Sequence, residues 1–148
     1  MSGSGDKSAE GPTRSTAAGG VKVIDSFDWA LIRVVPRVER GECVNVGAIV
    51  ACATKRYLGA QLALDPARVL ALDPTIDLDE LNVALASIPL IAAGDPSAGP
   101  IAALPRGERF HWLVAPRSAV IQTSPVHTGL CDDPQAALED LIKRLVST

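Results

Sequence analysis

Aromatic side chains make up only 3% of this 148-residue chain. An apolar interior must therefore be built from Val, Ile, Leu and Ala. A base-stacking surface is not expected either, because single-strand binders interleave several rings with basic residues; Trp29 and Trp112 read as core anchors. Excess positive charge is also missing. With 14 Lys+Arg against 17 Asp+Glu the net charge is −3, the wrong sign for a nucleic-acid coat or a polybasic membrane anchor. Cysteine is sparse and odd in number: Cys43, Cys52 and Cys131, with no CxxC pair. A secreted disulfide framework would have a denser, even set, so three free thiols in a reducing cytoplasm are expected. No long apolar run occurs. The stretch Val83–Ala93 is interrupted by Ser87 and Pro89 and is too short to span a bilayer.

Catalytic signatures are absent as well. The two histidines, His111 and His127, show no HxxxH or HxH spacing, so no metal site and no cofactor are expected. The stretch around Ser124 is not a nucleophile elbow. No GxGxxG, P-loop or paired carboxylates occur. A nucleophilic cysteine would need an activating neighbour, and no histidine lies close in sequence to Cys43 or Cys52.

What is present is a hydrophobic fraction of 47%, enough for one domain of this length to bury about two-thirds of its unfolded surface. The first twenty residues, rich in Gly, Ser, Ala and Thr, lack the apolar segment of a signal peptide and cannot offset their ordering entropy. A disordered tail over 1–24 and a single domain over 25–148 are expected. Within the domain, residues 27–35, 43–52 and 58–64 read as a three-stranded meander, with Pro36 ending the first strand. Gly47 suggests a bulge or a close contact in the second. Asp65-Pro66, Asp77 with Glu80, and Asp133-Pro134 are helix-start signals. Pro89 should stop or kink the second helix, with Gly94 capping any continuation. Residues 94–108 read as loop, 109–117 as helix or strand, 118–124 as a fourth strand, and 125–133 as loop. The expected class is α+β: an antiparallel sheet of about four strands (β-β-β-α-α-β-α) with helices packed on one face.

Charge is unevenly placed. Residues 33–56 carry Arg33, Arg37, Arg40, Lys55 and Arg56 against Glu39 and Glu42, and residues 106–117 carry Arg106, Arg109 and Arg117 against Glu108. Residues 65–95 carry Arg68 against six acids. Arginine presents a planar fork suited to carboxylate, phosphate or a protein interface. The candidate anion or partner surface is therefore Arg33, Arg37, Arg40, Glu42, Asn45, Arg109, Trp112, Arg117 and His127. The same residues have a structural reading, in which Glu42 and Asn45 pin the turn and the strand register and the arginines form surface ion pairs.

The turn P-R-x-x-R-x-E-x-x-N-x-G from Pro36 to Gly47 and the W-x-x-A-P of Trp112 to Pro116 resemble the bacterial domain-of-unknown-function family 3037. The resemblance covers about residues 27–146. It implies an uncharacterised bacterial protein with no established catalytic residues. By association only, it also implies a partner: a kinase similar to the toxin kinase of bacterial persistence. The leading expectation is a small, cytoplasmic, non-enzymatic accessory or protein-binding module. The alternative is an enzyme or sensor that binds an anionic small molecule at the Arg/Glu/Asn hairpin. Nucleic-acid binding is not expected at net −3, and oligomeric state is left open.

Overall fold

The computed structural model describes residues 23–117 and 119–147; the expected disordered tail lies, but for its last two residues, outside them. Strand β1 (Asp25–Val34) is apolar on both sides and sits at the centre of the sheet. Its antiparallel neighbour β2 (Val44–Cys52) leads by a tight turn into β3 (Tyr57–Leu62), as the short connections require. The pairing shifts where Ile32 faces Gly47 but Arg33 faces Asn45. Val46 is thus an extra residue, a β-bulge. Gly47 follows because there is no room for more: a Cβ there would lie 2.5 Å from the Gln61 carbonyl oxygen. Both readings of Gly47 hold.

The helices begin where their caps are. Asp65 accepts from the Ala67 amide and starts α1 (Pro66–Leu72), and Asp77 accepts from Glu80 to start α2 (Leu78–Ala93). Pro89 does not stop α2. Ile91 and Ala92 are buried in the last turn, and Gly94, at φ +72°, closes it by donating to Ile91. Their packing outweighs the one hydrogen bond that proline removes. Two short 3-10 turns, Pro96–Ala98 and Pro100–Ala103, then lead into α3 (Arg106–Val114). The ambiguous 109–117 segment is therefore helical up to Val114.

The remaining chain contains two strands, not one. β4 (Ile121–Thr123) pairs with Ile32–Val34, and β5 (His127–Cys131) pairs with Asp25–Trp29, so both share the far edge of β1. The sheet has five strands in place of about four, because the segment expected to be loop, His127–Cys131, adds to the ladder. Ser124 bridges the gap between β4 and β5. Its amide donates to the Leu31 carbonyl at 2.9 Å and its Oγ accepts from the Leu31 amide at 2.8 Å. It is the buried polar residue of the core.

The α+β class holds, but the helices cover both faces of the sheet. Ile32, Val34, Val46 and Ile49 pack with Val69, Leu81, Leu85, Phe110 and Leu113 of α1, α2 and α3. Phe27, Leu31, Ala48 and Val50 pack instead with Leu138, Leu141 and Ile142, from α4 (Pro134–Leu141) and the π turn Ile142–Val146 that prolongs it. The correction follows from β1 itself, since a strand apolar on both sides needs two covers. Each fully buried Ile, Leu or Val contributes about 1.5–3 kcal/mol.

Ser124→Ala should lower stability by about 1–3 kcal/mol, the cost of orphaning a buried amide. Urea unfolding should show a lower midpoint with an unchanged slope. An unchanged midpoint would mean that Leu31 finds another partner.

Candidate functional site

The sequence-predicted residues fall in separate places. Arg33 and Asn45 face each other across β1 and β2 on the α4 side, where Arg33 Nε donates to Asn45 Oδ1 at 3.3 Å. Asn45 Nδ2 donates in turn to the Leu145 carbonyl at 3.2 Å, and Arg68 donates to the Val146 carbonyl at 3.0 Å. Asn45 and Arg68 thus close the C-terminal end of the last helix, where carbonyls lack helical partners. Arg40 bonds Glu42 at 2.8 Å in the exposed turn. That hydrogen bond, with the opposite charge behind it, lowers the Glu42 pKa and raises that of Arg40. Arg37 reaches across to Asp73 at 3.6 Å. The hairpin arginines are each matched locally and do not converge on one point.

Arg109 ties α3 to its surroundings: it donates to the Leu104 carbonyl at 2.6 Å and to the Ala92 carbonyl, at the end of α2, at 3.3 Å. His127 is exposed and lies against the Trp29 ring, with centroids 4.6 Å apart. Among the described residues, no group of three or more His, Cys, Asp or Glu is placed to hold a metal ion, and no helix is long and apolar enough to cross a membrane. All three cysteines are free. Burial pushes the Cys131 thiol up to about 11, far from a nucleophilic thiolate at neutral pH.

Trp112 and Arg117 are the two predicted residues that the fold brings together at a concavity. Arg117 lies over the Trp112 ring, 4.6 Å from its centroid. It donates to the carbonyls of Trp112 at 2.7 Å and Leu113 at 3.1 Å, closing the C-terminal end of α3 as a basic side chain does. Pro116 then turns the chain toward β4. The result is a groove of about 490 Å³ between α2, the end of α3 and the approach to β4. Its walls include Ile76, Leu81, Ala84, Ile88, Trp112 and Val120, with Asp77 and Glu80 at the rim. Trp112 is 41% exposed and Val120 37%.

The α2 wall is hidden in the sequence because Leu81, Ala84, Leu85 and Ile88 share the i, i+3, i+4, i+7 spacing of a single core stripe. Leu81 and Leu85 are buried; Ala84 is exposed. The available signal was that α2 is apolar nearly all round, with Val83 and Leu90 outside any single stripe, which marks a helix with more than one apolar contact.

The chain matches the family model described as "Protein of unknown function (DUF3037)" over residues 29–146. It belongs to that family. The matched span runs from β1 to the π turn after α4 and takes in both the Pro36–Gly47 turn and the Trp112 groove. No curated protein and no solved structure matches the chain.

Asn45→Leu should lower stability by about 1–3 kcal/mol, since Arg33 and the Leu145 carbonyl both lose their partner. Chemical denaturation measures it. A neutral or stabilising result would mark Asn45 as a residue kept for binding at the expense of stability.

Proposed function

We propose that this member of the family is a non-enzymatic, protein-binding accessory module of the bacterial cytoplasm, and that its docking surface is the Trp112 groove. The observation that carries the reading is the half-exposed Trp112, held in place by Arg117 at the wall of an apolar concavity. An aromatic side chain fixed by its own domain before the partner arrives is the kind of anchor that dominates interface energetics.

The alternative, an anionic small molecule bound at the hairpin, has less behind it. Arg33 and Asn45 hold the last helix, Arg40 holds Glu42, and Arg37 reaches Asp73. An anion would have to displace these partners. The first protein to test as a partner is the one the family resemblance implies, a kinase similar to the persistence toxin kinase.

The test is affinity capture from native lysate with the wild type beside Ala84→Arg. Position 84 is exposed on a helix, so the change fills the groove while the fold stays intact by circular dichroism. A protein recovered stoichiometrically by the wild type and lost by Ala84→Arg is expected. A partner retained by Ala84→Arg but lost by Arg37→Ala, Arg40→Ala would move the surface to the hairpin. Substrate turnover by the isolated protein would end the accessory reading.

A further inference from the structure

We infer that the segment docking in the Trp112 groove is a short amphipathic helix, with apolar side chains entering the groove and Lys or Arg residues meeting Asp77 and Glu80. The inference rests on the binding-module reading above and adds the chemistry of the partner. Its first support is shape. The α2 wall is presented at Glu80, Leu81, Ala84, Ser87 and Ile88, a helical ridge of just over two turns, roughly 12 Å long. A ridge of this spacing accepts a second helix whose anchors recur at i, i+3 or i+4, and i+7.

The second support is charge. The start of α2 carries Asp77, Asp79 and Glu80, and the helix has no basic residue at all. Asp77 gives one oxygen to the Glu80 amide. Both Asp77 and Glu80 are exposed. The lining sets these two carboxylates against one guanidinium, that of Arg117, which lies over the indole ring at the α3 side of the groove. The acids outnumber the base and stand together at the start of α2, so that end of the groove favours a basic segment over an acidic one or a nucleic acid. The chain's own first 22 residues do not fit this description. Met1 and Val21 are their only aliphatic side chains of valine size or larger, too few and too far apart to fill the groove.

Two fluorescein-labelled peptides of roughly 15 residues, enough for four turns, test the inference by anisotropy against the full chain. Both carry Leu and Ala at the anchor positions; the remaining positions are Lys in one and Glu in the other. The Lys peptide should bind about tenfold tighter than the Glu peptide. Asp77→Asn, Glu80→Gln should remove most of that preference. Asparagine caps a helix as well as aspartate does, so the fold is kept, and the melting curve checks it. Ala84→Arg should abolish binding of both peptides.

Equal binding of both peptides, still blocked by Ala84→Arg, would overturn the basic-partner chemistry and leave the groove reading standing. A Lys preference that survives Ala84→Arg would overturn the inference as non-specific charge attraction. Failure of both peptides to bind would overturn it too, while the lysate capture decides the module reading separately.

Discussion

Strand β1 is the constraint on which the rest of the molecule depends. It is apolar on both faces and needs a ladder partner on both edges, so four separate pieces of chain must reach it. β2 covers one edge. The other edge is shared by β4 and β5, and Ser124 keeps the hydrogen bonding continuous between them by presenting an amide donor and a hydroxyl acceptor to Leu31. The faces are covered by α1–α3 on one side and by α4 with its π turn on the other. An unmet backbone group beside β1 would be buried without water, which is costly, and this explains a serine at an otherwise apolar position.

The arginines that suggest a binding surface in the sequence mostly serve this architecture. Arg33 holds the Asn45 side chain that closes the end of the last helix, Arg109 joins α3 to the end of α2, and Arg117 closes α3. Basic side chains are well suited to such places, since the C-terminal end of a helix is electronegative and its last carbonyls need donors. Arg117 differs in a second respect: while closing α3 it also fixes the Trp112 ring at the wall of the groove. One side chain thus links the packing of the fold to the shape of the candidate surface.

Local signals in the sequence carried much of the fold. The Asp-Pro pairs and Asp77 specify helix starts through one side chain and its nearest amides, and the hydrophobic runs at 27–35, 43–52 and 58–64 specify strands with short links. Those contacts are close in sequence and can be read there. β5 is not legible, since HTGLC starts two residues after Pro125 and contains a glycine, and only β1, about a hundred residues away, makes it a strand. The second helical face was missed for the same reason: periodicity shows that a side is apolar, not what lies against it. The Pro36–Gly47 turn is legible as a run of charged and polar residues, but these point to different partners, which spacing does not encode. Trp112 and Arg117 are visible as candidates in the sequence; the α2 wall that completes their groove is not, because its spacing is also that of a core stripe.

The central claim is that contact with a partner is made beside Trp112 and not at the arginine hairpin. Val120, in the groove lining, and Val38, in the hairpin turn, are exposed apolar residues at those two places, and each can be replaced singly by a photo-crosslinking residue in cells that make the protein. Irradiation should give a discrete crosslinked adduct from position 120 and none from position 38. An adduct from position 38 with none from position 120 would contradict the account and assign the surface to the hairpin.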